Sequence, residues 1–112
     1  NIDNILRNCY EENNVSQTEK DYIEKVVRGI KDRLEQIDSI ILANLKNWSI
    51  DRIAKIDLAI LRLAIYEIKY MEDIPEKVSA NEAVELAKTY GNNDSKSFVN
   101  GLIAKVIESK EV

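Results

Sequence analysis

Two carboxylates, Asp57 and Glu67, flank the most apolar stretch of the chain and are the first candidates for acid–base chemistry. Ten residues separate them, which in a helix corresponds to roughly 15 Å along the axis. Carboxylates that share a proton transfer must reach the same reacting group, so this spacing favours structural roles, as a helix cap and as a partner for Arg62. Arg62 lies in an apolar run, where a guanidinium group needs a carboxylate or carbonyl partner. Two roles are open for Arg62: a structural ion pair, or a contact with phosphate.

The composition removes most catalytic sets of residues. The 112 residues include no histidine and one cysteine, Cys9, which excludes histidine-dependent triads, histidine zinc motifs and an internal disulfide. The three glycines lack the spacing of a phosphate-binding loop. The sequence therefore predicts no enzyme activity and no metal site built on histidine or cysteine.

Charge and hydropathy limit the partners and the compartment. The chain has 16 basic and 20 acidic residues, a net charge of −4, so any contact with nucleic acid must be local. No apolar run approaches 18 residues and no signal peptide opens the chain. These features predict a cytoplasmic protein with no membrane segment.

A cluster of binding residue types stands near a predicted helix start. Ser95, Lys96, Ser97 and Phe98 are consecutive. Free backbone N–H groups and the helix dipole favour phosphate at such a position, and an aromatic ring can stack on a base. Other aromatic residues, which at helical spacing are expected mostly in the core, are Trp48, Tyr66, Tyr70 and Tyr90. The residues alone thus indicate a binding module and do not name its partner.

The elements that would position these residues are helices. Apolar residues recur at spacings of three and four along the chain, and no six-residue stretch alternates as a strand does. The pattern predicts an all-α fold of five longer or six total helices. The stretch from Ile50 to Met71 is apolar over more than one face, which predicts a helix at the centre of a bundle.

Local signals predict where the helices begin and end. Paired asparagines suit a turn after the first helix, and Gly91 is expected to close a later one. Gly29, inside a helical stripe, is expected to allow close packing. Predicted helix N-caps are Thr18 with Asp21 in a capping box, Asp38, Ser49, and Ser79 with Glu82 in a second capping box.

Three stretches of the sequence resemble the motifs of a known protein family. They run from Trp48 to Glu67, from Asp73 to Lys88 and from Tyr90 to Gly101, and read WSIDRIAKIDLAILRLAIYE, DIPEKVSANEAVELAK and YGNNDSKSFVNG. Together they resemble the NusB family of bacterial transcription antitermination factors. The resemblance implies one domain over residues 1–112, all-α, of a family built from two packed three-helix bundles.

The family's function supplies further expectations. The resemblance implies binding of the boxA element of ribosomal RNA leaders together with NusE, a ribosomal small-subunit protein, in a complex with other Nus factors and RNA polymerase that reads through terminators. It implies no catalysis and no cofactor. By position, Lys96, Phe98 and Asn100 are the expected RNA contacts, and Asp57 and Asp94 are expected to face NusE or RNA.

The chain departs from the family pattern in three places. Ser97 stands where a basic residue often precedes the phenylalanine, and Leu58 stands where arginine is common. No arginine-rich segment or first helix precedes Asn1, so an N-terminally truncated domain is expected, with an exposed apolar groove and the possibility of a homo-oligomer.

Two other function classes remain open at this point. One is an RNA-binding accessory domain of a bacterial ribosomal RNA cytosine methyltransferase, which has a similar fold. A stop codon after Val112 would favour the NusB interpretation, and a long α/β extension would favour the methyltransferase. The other is a helical scaffold with no RNA role.

Overall fold

Six α-helices and one short 3-10 helix make up the part of the chain that the structure, a computed structural model, describes, residues 2–46 and 49–110. The α-helices are α1 (Ile2–Asn13), α2 (Gln17–Asp32), α3 (Leu34–Ala43), α4 (Lys55–Tyr70), α5 (Glu76–Tyr90) and α6 (Ser95–Lys110), and the 3-10 helix is Ile50–Arg52. Those ranges contain no strand. The predicted all-α fold is confirmed. None of the described helices is long and apolar enough to cross a bilayer.

Helix α4 lies at the centre, as its apolar circumference predicts. It packs on α2, α3, α5 and α6, and α5 and α6 also pack on each other. Leu61 and Ile65 on α4 are completely buried. The same core cluster contains fully buried residues of other helices, among them Ile37, Ile41, Val99 and Ile103. Helices α4, α5 and α6 therefore form a three-helix unit on which α2 and α3 pack.

At Gly29, α2 packs tightly against Tyr66 of α4. A Cβ atom at this position would overlap the Tyr66 hydroxyl and would stand 2.5 Å from the Tyr66 Cζ atom. Tyr66 is buried, so its ring has little room to move. The expectation that close packing explains this helix-interior glycine is confirmed.

The start of α2 differs from the predicted one. Ser16 is the N-cap, and its hydroxyl accepts a hydrogen bond from the Glu19 N–H at 3.2 Å. The Glu19 carboxylate accepts one in return from the Ser16 N–H, also at 3.2 Å. The predicted box at Thr18 and Asp21 is wrong, because Thr18 already lies inside the helix and Asp21 accepts instead from the Gln17 side chain.

Two further predicted caps are wrong because the helices begin earlier. Asp38 lies in the middle of α3, which starts at Leu34 directly after α2. Ser79 is a buried residue inside α5, which starts at Glu76 after Pro75. The sequence pattern S-x-x-E at Ser79 has the right spacing for a cap, but the helix has already been nucleated one turn upstream.

Other boundaries agree with their local signals. Asn14, after α1, has a φ of 51°, the left-handed conformation that asparagine tolerates. Gly91 caps the C-terminus of α5, and its N–H donates to the Ala87 oxygen at 2.9 Å. The predicted cap at Ser49 is wrong, because its side chain makes no capping hydrogen bond and only the 3-10 helix follows it, whereas α4 begins at Lys55.

Candidate nucleic-acid interface

The turn between α5 and α6 fixes the position of Asp94 and Phe98. The Asn92 side-chain oxygen accepts from the Asp94 N–H at 2.9 Å, and the Ser95 hydroxyl accepts from the Asn92 N–H at 3.0 Å. The Phe98 N–H then donates to the Asp94 carbonyl at 3.1 Å, which starts the helix. Ser95 is fully buried, so its hydroxyl holds the turn and does not stand on the surface.

Asp57 lies in the first turn of α4, and its carboxylate is almost completely buried, with 5% of the residue exposed. Its Oδ1 atom has no hydrogen-bond partner among the described residues. A helix N-terminus stabilises a carboxylate by its dipole, but a buried oxygen without a donor still costs free energy. Asp57 therefore places a buried acceptor without a donor in the first turn of α4.

Asp57, Asp94 and Phe98, from two separate stretches of sequence, line one cleft of about 170 Å³. Its remaining lining residues are Arg52, Ile53, Ala54 and Asn92. We call it the aspartate cleft. It lies where the N-terminal ends of α4 and α6 meet, and it combines two carboxylates, one guanidinium group and an aromatic ring. Such a set can accept hydrogen bonds from the amino groups of bases or from basic side chains.

Phe98 also lines a second cleft. That cleft has a volume of about 340 Å³, and its lining residues are Asn44, Leu45, Lys46, Ser97, Phe98, Gly101, Leu102 and Lys105. We call it the lysine cleft. Phe98 is half-buried and packs against the core. Phe98 thus lines both the aspartate cleft and the lysine cleft.

Lys96 and Asn100 are not brought together with Phe98. Both are exposed, and neither lines either cleft. Each is two residues away from Phe98, about 200° around a helix of 3.6 residues per turn. They share one face of α6, and Phe98 belongs to the roughly opposite face.

Sequence reasoning missed the basic residues around the clefts. Lys105 follows Phe98 by seven residues, close to two helical turns, so a same-face relationship was available from spacing. Arg52 and Lys46 carried no such signal, because they lie 46 and 52 residues before Phe98 in the chain and come to line the same clefts as Phe98 only through the tertiary fold.

The other aromatic residues fall into three groups. Tyr66 is buried, and the half-buried Tyr70 ring lies 5.6 Å from it, so both follow the prediction of a core role. Tyr90 is 66% exposed, so the core expectation is wrong there: it is the last residue of α5 and projects past the packed region. Trp48 lies outside the described residues.

The sequence of the chain matches a known protein family. A family model described as the NusB family matches residues 1–108. The chain belongs to the NusB family. It is 48% identical over 98 residues to transcription antitermination protein NusB of Clostridium botulinum, covering 88% of this chain and 68% of that protein. It is 49% identical over 110 residues to NusB of Clostridium acetobutylicum, covering 98% and 82%.

Solved structures agree with the NusB fold. T. maritima NusB matches with a TM-score of 0.80 and 36% identity, covering 88% of this chain and 74% of that chain. A chain from the crystal structure of a plectonemic RNA supercoil matches with a TM-score of 0.93 and 28% identity, covering 100% and 82%. The relatives are named for transcription antitermination, which confirms that NusB is a family of transcription factors and not of enzymes. These names do not favour the alternative, an accessory domain of a ribosomal RNA cytosine methyltransferase.

Proposed function

We propose that this chain is a transcription antitermination factor that binds boxA RNA of ribosomal RNA leaders together with NusE. With other Nus factors it would promote read-through by RNA polymerase, in the bacterial cytoplasm where transcription takes place. The observation that carries the proposal is the aspartate cleft. Three residues matched to the NusB partner surface from the sequence, Asp57, Asp94 and Phe98, border the same recess.

The chemistry of the aspartate cleft supports a partner that supplies hydrogen-bond donors. Phosphate groups would be repelled by Asp57 and Asp94, so the donors are base amino groups or arginine and lysine side chains of NusE. Asp57 lines this cleft, and a charge-assisted hydrogen bond that its carboxylate gains on binding would be stronger than a neutral one. It would also remove the cost of a buried acceptor.

RNA contacts are proposed at Phe98, Lys96 and Asn100. Phe98 offers part of its ring to a base, and stacking on one aromatic ring is worth about 1–3 kcal/mol. Lys96 and Asn100 would contact RNA only where the strand passes over the other face of α6. The crystal structure with an RNA supercoil, which contains a chain of similar fold, supports RNA as the class of ligand.

A binding experiment with purified protein tests the proposal. The protein is titrated with a boxA RNA and with a scrambled RNA of the same composition, each with and without NusE. We expect preference for boxA and tighter binding when NusE is present. Equal affinity for both RNAs in both conditions would contradict the proposal.

Asp57→Asn is the decisive variant, because it removes the charge while keeping the shape of the side chain. We expect it to weaken the NusE complex by at least about tenfold, the usual order for a buried charged hydrogen bond. Asp73→Asn, an exposed aspartate in the turn after α4, is the matched control and should bind as the wild type does.

A further inference from the structure

The junction between α2 and α3 is a bend made at one residue. Helix α2 ends at Asp32 and α3 begins at Leu34, so only Arg33 separates them. The Arg33 N–H donates to the Gly29 oxygen at 3.2 Å, as the last hydrogen bond of α2, and the Arg33 oxygen accepts from the Ile37 N–H at 2.9 Å, as the first of α3. Arg33 thus belongs to both helices, and its φ of −115° and ψ of 18° change the direction of the chain.

The local sequence favours a single straight helix across this bend. Residues 30–36 contain no proline, glycine or serine, the residues at which helices usually kink. Five of the six residues from 31 to 36 are lysine, arginine, leucine, glutamate or glutamine, which are good helix formers.

The apolar stripe also continues across the bend. Its members recur at spacings of three and four and are Val26, Ile30, Leu34, Ile37 and Ile41. In a straight helix all five would share one face, but the bend leaves Leu34 37% exposed while Ile37 and Ile41 are completely buried. A contact outside this segment must therefore impose the bend.

Helix α4 supplies a ridge that meets the bent segment. Arg62, Tyr66 and Tyr70 follow each other at intervals of four residues, the spacing of side chains in one ridge of a helix. The Tyr66 hydroxyl lies against Gly29 of α2. Arg62 donates to Asp38 of α3 at 2.8 Å. The ridge therefore holds one residue on each side of the bend.

The third contact of the ridge is at the bend itself. The guanidinium carbon of Arg33 lies 4.2 Å from the centre of the Tyr70 ring, a cation–π contact. Tyr70 is half-buried, and its ring centre is 5.6 Å from that of the buried Tyr66. The Tyr70 ring is therefore supported by the core and fixes the position of Arg33.

We propose that residues 17–43 have two conformations, the bent one and a single straight helix, and that the contact between Arg33 and Tyr70 favours the bent one. The straight form exposes Ile37 and Ile41, so it is the minor conformation of the wild-type chain. Straightening would move α3 away from α4 and α6, on which it packs. Asn44 and Lys46, at the end of α3, would then leave the wall of the lysine cleft. The inference does not rest on the proposed function.

A distance between two spin labels tests the proposal on the full chain. The labels are attached at Lys25→Cys on α2 and Ala43→Cys on α3, two exposed positions, after Cys9→Ser removes the native thiol. These positions are 18 residues apart, which in a straight helix is roughly 27 Å along the axis. The bend makes the distance shorter, so the two conformations give separate maxima.

Two variants remove the contact at the bend, and each has a matched control. Tyr70→Leu and Arg33→Ala should shift the equilibrium toward the straight form by about 5- to 30-fold, the range for a partly shielded cation–π contact, and add a maximum near the straight-helix distance. Tyr70→Phe keeps the ring and Arg33→Lys keeps the cation, so both should retain the single shorter distance of the wild type.

The outcomes decide the proposal in each case. One shorter distance in all variants would show that burial of Ile37 and Ile41 fixes the bend without Tyr70, and would overturn the inference. A broadened distribution with no maximum at the straight-helix distance would also overturn it, because the junction would then loosen without forming one helix. If circular dichroism shows that Tyr70→Leu does not fold, Arg33→Ala decides, since Arg33 is exposed and alanine favours a helix.

Discussion

Arg62 on α4 donates two parallel hydrogen bonds to Asp38 on α3, from Nε to Oδ1 at 2.9 Å and from Nη2 to Oδ2 at 2.8 Å. The side chains are 28% and 23% exposed, so the pair is partly shielded from water. Bidentate pairing of this kind is among the stronger protein hydrogen bonds. Of the two alternatives for Arg62, the structure supports the ion pair, and the partner is Asp38 and neither Asp57 nor Glu67.

Arg62→Met is expected to lower the free energy of unfolding by about 1–3 kcal/mol, because it leaves the Asp38 carboxylate half-buried without its donor. Replacing both residues, with Asp38→Leu in the same chain, should cost less than the sum of the single changes. Denaturant unfolding measures all three. Lys88→Met is the control: it breaks an exposed 3.6 Å pair with Glu85 and should change stability by less than about 1 kcal/mol.

Gly29→Ala should destabilise the protein, because the new methyl group would overlap the buried Tyr66 ring. Overpacking a core costs about 1–3 kcal/mol, which exceeds the gain in helix propensity. Gly101→Ala places the same methyl group in open space and should stabilise by about 0.5–1 kcal/mol. Thermal unfolding of both variants would contradict the packing argument if their midpoints moved in the same direction.

Ser16→Ala should cost about 1 kcal/mol by removing the α2 cap. Thr18→Ala, at a position already inside the helix, should be neutral or slightly stabilising. Equal losses at both sites would show that the cap has been assigned to the wrong residue.

The effect of the Ser16 cap should also depend on pH. Hydrogen bonds from the Ser16 side chain and backbone lower the pKa of Glu19 below its ordinary value of 4.5. A lowered pKa in the folded state adds stability that is present above the unfolded-state value and is lost as the pH falls through the folded-state value. The cost of Ser16→Ala, measured by unfolding at several pH values, should therefore be full near neutrality and shrink as the pH falls below the ordinary glutamate value of 4.5.

Phe98→Ala should reduce both RNA affinity and stability, since Phe98 packs on the core and borders both clefts. We expect a loss of about 1–3 kcal/mol in RNA binding. The loss of stability should stay below the roughly 3–5 kcal/mol of a fully buried phenylalanine. Ile107→Ala, half-buried on the same helix outside both clefts, should lose stability alone. Unchanged RNA affinity in Phe98→Ala would remove the stacking role.

Lys96→Ala should weaken boxA binding and lower the salt slope by about 1 if Lys96 contacts a phosphate as proposed. The result also shows which face of α6 the RNA contacts, because Lys96 and Phe98 lie on different faces of this helix. A lowered slope would require the RNA to extend beyond the two clefts. An unchanged slope with the fold intact would confine the RNA to the Phe98 side.

The helices themselves follow from the sequence, because apolar spacing and capping chemistry are local. The apolar stretch from Ile50 to Met71 correctly predicted a helix at the centre of the bundle, which is α4. The paired asparagines correctly predicted the turn at Asn14. The combination of motifs from Trp48 to Gly101 was specific enough to indicate the NusB family from the amino-acid sequence alone. Local sequence did not identify the helix caps, because Ser16, Thr18 and Ser79 all have the spacing of a capping box. Only the residue at which each helix begins shows which of them is a cap.

Tertiary structure alone decided which residues meet. Asp38 accepts hydrogen bonds from Arg62, which is 24 residues away in the sequence. Lys46 and Arg52 line clefts together with Phe98 because segments that are distant in sequence pack side by side. Lys96 and Phe98 are near each other in the chain but lie on different faces of α6, because a helix turns about 100° per residue, and the RNA contact of each residue stays a prediction. Local sequence determines the rotation of side chains about one helix axis, but the contacts between helices arise only when their apolar faces pack together.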